Sequence, residues 1–136
     1  MTRAVLIALL AIAAPAAADP GWELHVPERL ELAEGTSGTL PIEIAVGKGM
    51  AVSKDAPVIV DLVPDGGVTL KRRRLGREDA VNPDADAPRF DVPVRAEAAG
   101  DFRIKLHIQF WLCFTRVCRP VDARRTIAIA VSAATR

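Results

Sequence analysis

Residues 102–113 (FRIKLHIQFWLC) alternate without a break. Phe102, Ile104, Leu106, Ile108, Phe110 and Leu112 fall on one parity; Arg103, Lys105, His107, Gln109, Trp111 and Cys113 fall on the other. A helix would scatter the six apolar residues around its circumference. An extended strand places them all on one face, because successive side chains point to opposite sides. Such a strand needs a second layer to cover its apolar face. The rest of the chain supplies candidates, with strands expected over 39–46, 57–64, 67–71, 89–94 and 126–131, and Pro93 suggesting an edge or a bulge. Turn-forming stretches lie between them, at 64–67 (PDGG) and 99–101 (AGD). Ten prolines are scattered along the sequence, and each lacks the N–H that a helix interior requires. The expected fold is therefore an all-β sandwich, with 76–88 (GREDAVNPDADAP) as a surface loop.

The N-terminus has a different character. Arg3 precedes an apolar run from Ala4 to Ala13, followed by Ala14, Pro15, Ala16, Ala17 and Ala18. A positive charge, a short apolar stretch and small residues form the layout of a secretory signal peptide. The run is shorter than the roughly 20 residues that span a bilayer. Residues 1–18 are accordingly expected to be a signal peptide cut after Ala18, and 19–136 a single β-sandwich domain of a periplasmic or secreted protein. No second long apolar run follows, so no transmembrane segment is expected in the mature chain. The formal net charge is +1, which gives no general attraction to nucleic acid.

Both cysteines, Cys113 and Cys118, lie in FWLCFTRVCRP. In an oxidising compartment two cysteines are expected to pair. A hairpin closed by a four-residue loop over 114–117 places Cys113 opposite Cys118 on the outer face. Cross-strand Cβ atoms lie about 4.5–5.5 Å apart, so a bridge needs slight pinching. The same register sets Ile104 against Ile127 and Phe110 against Val121. It also sets Leu106 against Arg125, a mismatch that a bulge between Pro120 and Arg125 would repair. Closing a loop of about six residues stabilises by roughly 2 kcal/mol. Two uses of the bond stay open: thiol exchange, or an inert clip on the hairpin.

Other chemistry is poorly supported. A zinc site wants four ligands, and His107 stands about 20 Å along the strand from Cys113. No metal or cofactor is expected. Neither Gly-x-Ser-x-Gly nor His-Glu-x-x-His occurs. The basic run 71–77 (KRRRLGR) could hold an anionic partner or lipid headgroups. A solvated strand end is the more frequent use, because Glu78, Asp79, Asp84 and Asp86 follow closely.

Taken in order, KGMAVSKDAP at 48–57, a strand, GVTL at 67–70, Phe90, Ala99-Gly100 and a strand ending in Cys-x4-Cys-x-Pro resemble the N-terminal periplasmic domain of DsbD-type thiol–disulfide interchange proteins. The likeness spans about residues 30–131. It implies an immunoglobulin-like antiparallel β-sandwich with its cysteine pair in a C-terminal hairpin. It also implies that Cys113 and Cys118 are the redox pair, exchanging electrons with a membrane electron donor and a periplasmic thioredoxin-like protein. Better-known members have five residues between the cysteines; here there are four, and Arg119 stands where they carry an aromatic residue. Thiol exchange requires an accessible thiolate favoured by positive neighbours. Arg116 and Arg119 are the candidates for that tuning, and Trp111 and Phe114 for shielding the sulfur or contacting a partner. Solvated arginines and simple packing are the alternative reading of these four.

Overall fold

Alternation governs the architecture. A computed structural model describes residues 21–134; the expected signal peptide, 1–18, and its cleavage site lie outside them. Ten strands occur in chain order: β1 (Trp22–His25), β2 (Arg29–Ala33), β3 (Ser37–Val46), β4 (Met50–Val52), β5 (Ile59–Pro64), β6 (Val68–Thr69), β7 (Arg74–Leu75), β8 (Arg89–Ala96), β9 (Gly100–Phe114) and β10 (Val117–Ser132). Among the described residues the one helical piece is a 3-10 turn, Arg77–Asp79. No helix there is long and apolar enough to cross a membrane.

The strands form two sheets of an all-β, immunoglobulin-like sandwich. One sheet runs β1-β3-β8-β6; the other runs β2-β10-β9-β5-β7, with β4 also on β9. Pairing is antiparallel except where β2 lies parallel to β10, through Ala128↔Arg29 to Ser132↔Ala33. The one parallel pair has a simple origin: a chain that crosses from one sheet to the other arrives beside the last strand running the same way.

The core lies between the two inner faces. Leu40, Ile42 and Ile44 of β3 and Phe90, Val92 and Val94 of β8 face Ile104, Leu106, Ile108, Phe110 and Leu112 of β9, all buried. Intervening residues such as Glu43, Asp91, Arg103 and Lys105 are exposed, as an alternating strand with one wet face requires. Pro93 pairs with Thr39 on one side. On its other side β6 reaches only Ala96 and Arg95, so the missing N–H falls on a local edge.

The β9–β10 hairpin is the longest element pair. Its register is uninterrupted from Val117↔Phe114 to Val131↔Gly100, and includes Cys118↔Cys113, Val121↔Phe110 and Ile127↔Ile104. Two expectations are corrected. The turn has two residues, Thr115 and Arg116, not four, because Phe114 and Val117 pair. No bulge separates Pro120 from Arg125, and Arg125 does sit opposite Leu106. The mismatch is tolerated because β2 covers β10 only from Ala128 onward. Arg125 reaches out past this open flank, where its guanidinium donates to the carbonyl of Arg124 at 2.8 Å.

Candidate functional site at the hairpin tip

Cys113 and Cys118 form a disulfide, with Cα atoms 4.0 Å apart. That is closer than the roughly 4.5 Å of the narrowest antiparallel sites, so the ribbon is drawn in where the bridge crosses it. Parity explains the placement. Cys113 continues the outer row of Gln109 and Trp111, and the register brings Cys118 to the same face. The pair therefore stands outside the hydrophobic interior; Cys113 is half-buried and Cys118 exposed.

The residues around the sulfurs divide by face. Trp111, two positions before Cys113, shares the outer face and is 41 % exposed. Phe114 and Val117 carry the inner parity but lie beyond the core, 51 % and 71 % exposed. The Phe114 ring covers Gly49, whose φ is +78°; a Cβ built there would meet Phe114 Cε2 at 3.4 Å. A side chain on residue 49 would thus press on the ring as well as strain the backbone. Arg116 occupies the exposed turn. Thr115 beside it takes φ +52°, a conformation rare for β-branched residues. Arg119 pairs with Leu112 on the inner parity, and its guanidinium approaches Gly21. It thus lies across the ribbon from the Cys118 side chain, leaving Arg116 as the cation without that separation of faces.

One flank of the tip is closed. β4 pairs Met50 with Phe114, Ala51 with Cys113 and Val52 with Leu112. A contact that sequence reasoning missed fixes this small strand. Arg77 donates from Nη2 to the carbonyls of Val52 (2.8 Å) and Ser53 (3.0 Å), and from Nη1 to those of Pro83 (2.8 Å) and Ala85 (3.1 Å). The Val52 N–H donates to the Asp86 carbonyl at 2.7 Å. The surface loop 76–88 is thereby tied to β4. Only the position of Arg77 immediately after Gly76 at the end of the basic run could have hinted at this, and Arg at such a place is ordinarily solvated. The rest of the run is also partly engaged: Arg72 pairs with Asp79, and Arg74 grips Asp61 through Nε at 2.7 Å and Nη2 at 3.1 Å. The Arg74 hydrogen bond holds the Asp61 carboxyl below the usual carboxylate range.

Further down the outer face, Asp122 accepts from Gln109 Nε2 at 3.1 Å and contacts His107 Nε2 at 2.8 Å. The Gln109 bond first, and His107 second, lower its pKa. Among the described residues no group of three or more His, Cys, Asp or Glu side chains could hold a metal ion.

No family model matches the sequence, and no curated protein matches it. Two solved structures are similar at low identity. One is the PapD-like domain 7 (an ASH domain) of human CEP192, 12 % identical, with 95 % of this chain and 99 % of that chain covered and a TM-score of 0.42. The other is AggA, the major subunit of aggregative adherence fimbriae type I from Escherichia coli, 11 % identical, with 82 % and 95 % covered and a TM-score of 0.40.

Proposed function

We propose that this chain is an exported thiol–disulfide interchange module whose working groups are Cys113 and Cys118. The observation that carries the reading is the position of the bridge. It sits at the tip of a β-ribbon, off the core, with Cys118 exposed. Exchange requires that a thiolate reach a disulfide sulfur, and this tip permits it. A clip meant only for stability gains more from joining distant strands, since the entropy removed grows with loop length.

A partner thiolate attacks Sγ of Cys118 and forms a mixed disulfide. The electron pair of the broken bond passes to Sγ of Cys113, which leaves as a thiolate and takes a proton from water. A second thiolate of the partner then attacks the partner's own bridged sulfur and releases Cys118. The partner's dithiol is oxidised and the pair reduced by two electrons; the reverse sequence delivers them. Arg116, in the turn between the cysteines, favours the thiolate forms. Trp111, on the sulfurs' face, gives a partner an apolar footing beside them, and exposed Phe114 adds one on the other face of the ribbon. Resemblance to the DsbD-type N-terminal domain points to a periplasmic thioredoxin-like protein and a membrane electron donor as partners. The layout of residues 1–18 points to export into the periplasm or medium.

The reduction potential tests the reading. A value between about −270 and −120 mV is expected for an exchanger. A value below about −300 mV would reassign the bond as a structural clip in a non-catalytic binding or structural sandwich domain. A Cys113→Ser variant, which leaves Cys118 without its resolving neighbour, is expected to retain a thioredoxin-like partner as a stable mixed disulfide.

A further inference from the structure

The two margins of the cysteine ribbon differ. On the β9 side, β4 is already paired along Cys113. On the β10 side, β2 reaches only Ala128 to Ser132, and residues 117–127 have no second neighbour among the described strands. The Ala128 N–H donates at 2.9 Å to the Glu28 carbonyl, away from β9. Main-chain groups of an antiparallel strand change sides at every residue. Cys118, Pro120, Asp122 and Arg124 therefore also turn theirs away from β9. The Arg124 carbonyl is taken by Arg125, and Pro120 has no N–H. What stays open from 118 to 124 is the N–H and C=O of Cys118 and Asp122, the Pro120 carbonyl and the Arg124 N–H.

Reaction direction singles out the same margin. A thiolate displaces a disulfide sulfur along the S–S line, from the side opposite the leaving sulfur. Because the bond joins paired residues on adjacent strands, Cys113 sits on the strand beside β4 and Cys118 on the strand with the bare margin. An attack on Sγ of Cys118 that expels Cys113 therefore comes from the side of the bare margin, and an attack on Sγ of Cys113 from the side of β4. A strand added there would lie about 4.8 Å away, with the residue opposite Cys118 on the same face.

We propose that residues 118–122 of β10 accept a cysteine-bearing, acidic, extended peptide segment as an added strand, which brings its thiolate in line with Sγ of Cys118. This mode of recognition takes affinity from main-chain hydrogen bonds. Acidity follows from charge: Arg116, Arg119, Arg124 and Arg125 lie along this flank, and its one acid, Asp122, is engaged by Gln109 and His107. The inference rests on the proposed exchange activity. The bond formed joins the segment's sulfur to Cys118, the Cys113–Cys118 bond breaks, and Cys113 carries off the electron pair and then a proton.

The test uses the oxidised protein and an acetylated, amidated heptapeptide of alternating valine and glutamate with cysteine at its sixth position, which in the antiparallel sense lays its fourth and second residues opposite Pro120 and Asp122. Methylating the amides two and four residues before the cysteine removes donors that would face the Pro120 and Asp122 carbonyls of β10. Methylating the immediately adjacent amides removes donors that would face away. The first change is expected to slow mixed-disulfide formation at Cys118 roughly tenfold, the loss of two modest hydrogen bonds, and the second to leave it nearly unchanged. Equal rates for the two peptides, with normal reduction by dithiothreitol, would overturn strand addition and leave exchange standing. Resistance to dithiothreitol as well would remove both. In the free protein, the Cys118 and Asp122 amides are expected to exchange rapidly with deuterium. Strong protection would mean that a second copy already fills the margin, and would also refute the proposal.

Discussion

The base and the tip of the β9–β10 hairpin share one alternation and one register, yet they have opposite fates. At the base, Ile104 and Ile127 face each other with no exposure. At the tip, Phe114 and Val117 carry the same inner parity and are mostly in solvent. Alternation determines which face a side chain takes; only the extent of the opposite sheet determines whether that face is covered. The ribbon simply outruns the core, and the disulfide stands on the part that does.

The comparison can be broken most forcefully at the base. Ile104→Ala is expected to cost about 3 kcal/mol through lost burial and an unfilled cavity, whereas Val117→Ala should fall within about 0.5 kcal/mol. Denaturant midpoints of the two variants measure the contrast, and similar losses would show that the tip is packed after all. Next comes the bridge. Replacing both cysteines by alanine is expected to cost about 2 kcal/mol and leave the sandwich folded, as read by urea unfolding. A loss approaching that of a core residue would mean that the tip organises the fold. Smallest is the acid response. The Asp122 and Asp61 carboxyls are depressed in the folded state, chiefly by Gln109 and by Arg74. Their contribution is present above the unfolded carboxylate value of about 3.9 and is lost as pH falls through the lower folded values. Asp122 is more than half exposed, so screening keeps its effect small. Asp122→Asn should therefore lower stability slightly and evenly above about pH 4 and flatten the acid limb, and a change of slope near neutral pH would point to another titrating group.

Much of this was legible in the sequence. The long strand, the inner row of β9 and the opposition of Cys113 to Cys118 followed from a period of two sustained over twelve residues. The short strands were not: β4 and β7 have three and two residues, too few for any period, and form because neighbours offer them a ladder. β10 was expected over 126–131 and, near the turn, at Cys118 and Val121, with a bulge between Pro120 and Arg125; an open flank lets Arg124 and Arg125 remain in a regular strand. The expected bulge failed for the same reason, because Arg125 did not need to enter the core. The Arg77 contacts were invisible because carbonyl acceptors leave no mark on side-chain composition.

That last point bears on how this protein can drift. Arg77 addresses oxygens that every amino acid possesses, so the identities at 52, 53, 83 and 85 are not constrained by the clamp itself. Substitutions that keep the local path of the chain would preserve it, while loss of the one guanidinium would remove four hydrogen bonds to the two segments at once, leaving the β9 ladder and the Val52–Asp86 bond. The strip of chain beside the cysteines thus owes its side-chain tether to a single letter, and the text around it is free to change.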